Sequence, residues 1–163
     1  KQGIAEVEES LAKGTLVSPL SSTVLIEMLM VYDIKRAVAL SESLAIVYPS
    51  CRLFRWQLGE SLKRDCRYED AVRILTGIAE EMANDPEDDG SGPLRCWWKL
   101  AVLSNSLGKK DDCRYYCEKI IRIWEEKNTG RRQKAEVTSD IFYRHHKKRI
   151  EGARKILETL NND

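Results

Sequence analysis

The chain has 163 residues, which is enough for a single domain with a substantial hydrophobic core. Hydrophobic residues make up 42% of it and charged residues 33%, a balance typical of globular helical proteins. The net charge of +1 gives the whole chain no preference for nucleic acid or for an acidic substrate. No stretch approaches the ~20 apolar residues of a membrane span, and the longest, residues 23–32, contains Glu27.

The N-terminal segment carries a short apolar stripe of Ile4, Val7 and Leu11 that ends at Gly14. This spacing predicts that residues 1–14 are the second helix of an incomplete preceding hairpin. The chain starts without Met and shows no signal-peptide pattern, so we expect it to be a piece of a longer protein.

Residues 18–51 predict the first complete helix-turn-helix hairpin. Its first helix starts near Ser21 and carries a stripe at Val24 and Met28. Asp33 begins the turn into a second helix over residues 35–47, and Pro49 prevents its continuation.

Residues 52–85 predict a second hairpin with a break near residues 65–67. Apolar residues recur every three or four positions on both sides of the break, as a helical face requires. Gly59 indicates a position where a neighbouring helix comes close. The stripes are Phe54, Leu58 and Leu62, then Ala71, Leu75, Ile78 and Met82.

Residues 86–93 form an acidic insertion before a third hairpin at residues 94–127. The stretch 80–91 contains six acidic residues and no basic one. Its beginning at Asp85 resembles a calcium-binding loop, but the twelfth position, where such a loop needs a bidentate Glu, is Cys96. We therefore expect a solvated loop and no metal.

The last segment is basic. Between Lys127 and Lys155 there are ten Lys or Arg residues and three acidic ones. A polar cap at Thr138 to Asp140 precedes a helical stripe, so residues 139–160 are predicted to be a capping helix with a polar outer side. The stripe is Phe142, Ile150, Ala153, Leu157 and Leu160.

The three hairpins align with one another at shifts of 34 and 42 residues, the difference being the acidic insertion. Small or apolar residues coincide in the alignment, which matches Ala37 to Ala71 and Cys113, and Gly59 to Ala101. A 34-residue helix-turn-helix period with small residues at the helix contacts resembles the tetratricopeptide repeat family. General likeness favours a bacterial member. The resemblance implies an all-α fold of antiparallel helix-turn-helix repeats, stacked as a short right-handed α-solenoid.

The resemblance also implies a concave groove lined by the first helix of each repeat. Trp56 and Trp98 occupy the same repeat position, whereas Trp97 occupies the position that the repeat packs inside. Burial of both tryptophans by a shifted stack is the alternative. The residues that the family template puts on the groove, and hence the expected partner-binding set, are Ile26, Met30, Trp56, Gln57, Glu60, Lys63, Arg64, Trp98, Lys99, Val102 and Asn105.

Five cysteines, an odd number, lie within helical patterns. Cys113 and Cys117 replace small repeat residues, which favours buried free thiols and a reducing compartment, the cytoplasm rather than the periplasm. A zinc site with His145 and His146 is the less favoured alternative. Adjacent histidines point to different sides of a helix, and we expect at least one of them to face solvent.

The sequence carries no nucleophile elbow and no phosphate-binding loop, so we expect no enzyme and no cofactor. The favoured function is a non-catalytic protein–protein interaction module, a scaffold that binds a peptide or helix of another protein. The alternative is a helical repeat that binds RNA or an anionic surface through the basic C-terminal segment, although the overall charge argues against nucleic acid. Self-association into a homo-oligomer stays open.

Overall fold

The computed structural model describes residues 18–129 and 137–162, with Gly3, Ala5, Glu6 and Glu9 described singly. The predicted all-α class is confirmed for these residues, which form helices and turns and no strand. Most of the helix predicted over residues 1–14 lies outside them. The helices from Ser18 onward are α1 (Ser18–Tyr32), α2 (Ile34–Val47), α3 (Arg52–Arg64), α4 (Tyr68–Ala83), α5 (Ser91–Ser106), α6 (Lys110–Thr129) and α7 (Val137–Asn162).

The chain divides into two compact units, Lys1–Leu75 and Thr76–Asp163. The boundary falls inside α4, within the second predicted repeat. In the first unit α1 packs against α2 and α3, and α2 packs against α3. In the second unit α5, α6 and α7 pack against one another in pairs.

The turn between α1 and α2 is a single residue, Asp33. Its amide N–H donates to the Leu29 carbonyl at 2.7 Å, which closes the last turn of α1. Its carboxylate accepts the Arg36 N–H at 3.2 Å, which caps α2 as an aspartate at an N-cap does. The predicted turn at Asp33 is thereby confirmed.

The turns after α3 and α5 have the same hydrogen bonds at positions 42 residues apart. Arg67 N–H donates to the Leu62 carbonyl at 2.9 Å, and Lys109 N–H donates to the Ser104 carbonyl at 2.9 Å. Cys66 (φ 61°) and Gly108 (φ 69°) are the left-handed residues of these turns. Both turns are therefore Schellman motifs, which end a helix and satisfy its last carbonyls.

The acidic insertion, together with Asp85 before it, is a loop whose own carboxylates bond its backbone ahead of α5. Its carboxylates accept backbone N–H groups two residues ahead: Asp85 accepts from Glu87, and Asp89 accepts from Ser91 at 2.8 Å. Asp88 likewise accepts from Gly90, which has a φ of 88°. These carboxylates order the loop and lie next to the start of α5, where negative charge is favourable.

Small residues lie at the seams between paired helices in the first unit. Ala71 is fully buried and packs in a cluster with Val38, Leu58 and Leu62. Gly59 has no room for a side chain, because a Cβ there would lie 2.8 Å from the Leu75 side chain. Gly59 thus permits close contact between α3 and the Leu75 side chain of α4.

The core of the second unit also has a small residue buried between helices, and the terminal helix contributes to it. Cys113 occupies the position that aligns with Ala71 and is also fully buried. The predicted stripe of α7 faces inward, with Ile150 and Ala153 fully buried. Trp97 is buried as predicted, and the Lys119 ammonium lies 5.7 Å from the centre of its ring.

We predict that Ala71→Leu destabilises the protein by about 1–3 kcal/mol, because the seam around Ala71 is already full. Chemical denaturation monitored by circular dichroism measures the change. Gly77→Ala is the control in the same helix: a Cβ at Gly77 meets no atom within 4 Å, and Gly77 is exposed. This control should raise stability by about 0.5–1 kcal/mol. Equal stability of Ala71→Leu and the wild type would contradict the tight packing around Ala71.

Candidate partner-binding surface

Three residues of the predicted groove lie inside the first unit. Ile26 is fully buried, and Met30 and Gln57 are 7% and 2% exposed. Ile26 and Met30 pack with Leu25 and Leu29 in the core cluster of α1. The assignment of Ile26, Met30 and Gln57 to a ligand-facing groove is therefore corrected, because side chains so buried offer a ligand no surface.

Two polar side chains of α3 hold it against α1. The Gln57 amide Nε2 donates to the Thr23 carbonyl at 3.1 Å, and an Arg64 guanidinium nitrogen donates to the Met30 carbonyl at 3.4 Å. Each bond joins residues 34 positions apart, which is the predicted repeat length. Arg64 is exposed, but it satisfies a carbonyl in the last turn of α1.

The accessible part of the predicted set on α3 consists of Trp56, Glu60 and Lys63, with Arg64 beside them. Trp56 is half-buried. The Lys63 Nζ lies 2.7 Å from a Glu60 carboxylate oxygen, and the two side chains are 29% and 14% exposed. This ion pair neutralises the lysine locally, so Lys63 attracts an acidic group less strongly than a lysine without this pair would.

Trp98 of the second unit packs against the terminal helix. A Cβ on Gly152 of α7 would overlap the far edge of the indole, so the ring lies directly over the Gly152 backbone. Trp98 is half-buried there. Because α7 covers this ring, Trp98 has a structural contact at the position where we predicted a ligand.

The remaining predicted residues of α5 face outward. Val102 is 42% exposed, Asn105 is exposed and Lys99 is half-buried. Asn105 also lines an open groove of about 250 Å³, which lies between the α5–α6 turn and the end of α7. The floor of the groove is apolar and its rim is basic. The other lining residues are Gly108, Lys110, Lys155, Ile156, Thr159 and Leu160.

His146 is a polar residue in the core, whereas the sequence analysis considered it only as a possible zinc ligand. It is 4% exposed, and its Nε2 lies 3.0 Å from the Ser91 hydroxyl at the start of α5. His145 is exposed, which confirms that at least one of the two histidines faces solvent. A signal was present, because His146 falls four residues before Ile150 on the apolar stripe of α7.

The thiols of Cys113 and Cys117 are buried, free and hydrogen-bonded to each other. Burial raises the pKa of the Cys113 thiol and raises that of Cys117 to about 12. A thiol with so high a pKa is neither a nucleophile nor a ready metal ligand. Within residues 18–129 and 137–162, no three His, Cys, Asp or Glu side chains converge as a metal site would require.

None of the described helices combines the length and the apolar character that crossing a bilayer requires.

Comparison of the chain with protein-family models, with curated proteins and with solved structures finds no significant match.

We predict that Cys66, which is exposed, reacts first with a thiol reagent at pH 8, whereas Cys96, Cys113 and Cys117 stay unmodified until the protein unfolds. Peptide mapping by mass spectrometry, with and without denaturant, reads the sites. Cys66→Ser should remove the fast phase. Modification of native Cys117 as fast as Cys66 would contradict the burial.

We predict that Gly152→Ala costs about 1–3 kcal/mol, because the new methyl group displaces the Trp98 indole. A double-mutant cycle with Trp98→Leu isolates the contact: in the smaller background Gly152→Ala should cost much less. Denaturant unfolding of the four proteins provides the energies. Additive effects would mean that the indole and Gly152 do not touch.

Proposed function

We propose that the chain is a non-catalytic helical-repeat module of the tetratricopeptide type, which binds a segment of a partner protein on the outward faces of its first helices. The observation that carries the proposal is the pair of matching Schellman turns 42 residues apart, at Cys66 and Gly108. Matching turns at this spacing are expected when two hairpins are copies of one repeat.

Further contacts support the repeat. The bonds from Gln57 and Arg64 to α1 each join residues 34 apart. Ala37, Ala71 and Cys113, which align at the predicted shifts, are all fully buried. Small residues at this recurring position allow the paired helices to pack closely, as a repeat protein requires.

In the first unit, the proposed binding residues are Trp56 and its neighbours Glu60, Lys63 and Arg64. A tryptophan supplies a large contact area and is enriched where interfaces concentrate their binding energy. The Glu60–Lys63 ion pair flanks it with one donor and one acceptor, which suits a polar rim.

In the second unit, the proposed surface is the exposed side of α5 with the adjoining groove. Val102 gives an apolar contact, and Asn105 offers an amide that can bond a peptide backbone. Among the described residues that line the groove, Lys110 and Lys155 are basic and none is acidic. This surface therefore suits an extended segment with an apolar residue and acidic flanks. Trp98 is left out, because Gly152 covers it.

A second candidate function is binding of RNA or another anionic surface by α7. Five cations of its described part are exposed and recur along one side of the helix, with only Glu151 and Glu158 as exposed acids there. Such a row can neutralise phosphates. The cations are Arg144, Lys147, Lys148, Arg154 and Lys155.

We predict that Trp56→Ala weakens binding of peptides selected on the wild type from a displayed random library by about tenfold or more, the loss typical of a hot-spot aromatic. Tyr115→Ala is the matched control, because Tyr115 is an exposed aromatic on the second helix of a hairpin. Isothermal titration of the same peptides gives the affinities. The control should bind like the wild type.

Salt separates the two candidates. Apolar anchoring predicts a shallow dependence of affinity on salt, and phosphate contacts predict a steep one. Failure to select any peptide, or equal losses for Trp56→Ala and Tyr115→Ala, would contradict the peptide-binding proposal. Tight, steeply salt-dependent binding of a single-stranded RNA, lost on Lys147→Glu/Lys148→Glu, would favour the second candidate instead.

A further inference from the structure

His146 is a titratable side chain of α7 that is almost fully buried at the contact between α7 and α5. It lies on the inward stripe of α7, one turn before Ile150. Its imidazole reaches Ser91, the first residue of α5, across the junction of the acidic loop and that helix. Both ring nitrogens have partners, so the protonation state of the ring can be read from the geometry.

The partners require a neutral ring. An Arg149 guanidinium nitrogen lies 3.3 Å from Nδ1. Arginine has only donors, so Nδ1 must accept and cannot carry a proton. The proton of the neutral imidazole is then on Nε2, which donates to the Ser91 hydroxyl at 3.0 Å. A second proton, on Nδ1, would set two donors against each other and break the Arg149 contact.

The surroundings also disfavour a charged ring. Burial lowers the pKa of His146, and the nearby charges of Arg149, His145 and Arg95 lower it further. Asp89 of the acidic loop is the one opposing influence among these groups. Three elements thus present charged or titratable groups to the ring: α7, α5 and the loop between α4 and α5.

We propose that His146 is a pH-sensitive latch, whose protonation at Nδ1 breaks the Arg149 contact and places a positive charge in the buried contact between α7 and α5, which loosens α7 from α5. This inference goes beyond the proposed function, because it concerns when the terminal helix covers its neighbour. It requires no ligand.

The direction of the effect follows from linkage. A histidine with a lowered pKa in the docked state binds a proton more readily when α7 is released. Docking is therefore fully stabilised above the ordinary histidine pKa of 6.5 and weakens as the pH falls from there toward the pKa of the docked ring.

Release would change two surfaces at once. The Trp98 indole, now packed on Gly152, would lose its cover. The buried side of α7 would become accessible, and the helix with its exposed cations would separate from α5. A mildly acidic environment would therefore expose the face of α5 around Trp98 that α7 now covers.

Hydrogen–deuterium exchange of the full chain at pH 7.5 and pH 5.5, corrected for intrinsic rates, tests the latch. We expect protection of the amides in α7 to fall several-fold at the lower pH, while protection in α2 and α3 stays the same. His146→Gln keeps a hydrogen-bonding side chain without the titration and should abolish the pH effect. His145→Gln, on the exposed neighbour, should retain it.

Unchanged protection of α7 in the wild type would overturn the proposal, and so would a fall in His146→Gln as large as in the wild type. If His146→Gln does not fold, the wild type decides. The midpoint of the loss of α7 protection must then coincide with the titration of the His146 ring protons followed by NMR. A mismatch between the two midpoints would also overturn the latch.

Discussion

The left-handed residue at the turns after α3 and after α5 is the constraint on which these two hairpins depend. A helix can reverse in three residues only if its last carbonyls are satisfied, and the Schellman turn does so through one residue with positive φ. Gly108 adopts this conformation at no steric cost, whereas Cys66 pays about 1–2 kcal/mol for its Cβ. The close packing that the tight reversal permits offsets this cost. Helix α3 contacts the Leu75 side chain, and its residues Leu58 and Leu62 pack with the buried Ala71.

The tight reversal in turn makes residue size decisive at the seams. Gly59 has no room for a methyl group, and Ala37, Ala71 and Cys113 are fully buried at equivalent positions. Cys113 is the largest of the three, and its thiol is buried next to that of Cys117. The cysteines here act as small apolar residues.

Much of the fold was predictable because periodicity and turn chemistry are local properties. The breaks at Asp33 and Cys66 and the inward stripe of α7 follow from residue spacing and were confirmed. The candidate surface was less predictable, because the template assumed that every first helix leaves the same side open. The α1–α3 contact, a non-local feature, instead buries Ile26 and Gln57.

Trp56 and Trp98, which align at the 42-residue shift, show how a terminal helix changes the surroundings of a residue. An array's last apolar face must be covered, or it would recruit another molecule. Here α7 supplies the cover, and its Gly152 lets the Trp98 indole approach the helix backbone directly. Within this cover the neutral ring of His146 is buried and bonds Ser91 of α5, so the contact depends on protonation in a way that apolar packing does not. Alignment of the two tryptophans therefore does not give them the same surroundings: Trp98 packs on the chain's own terminal helix, and the proposed function keeps only Trp56 as a binding residue.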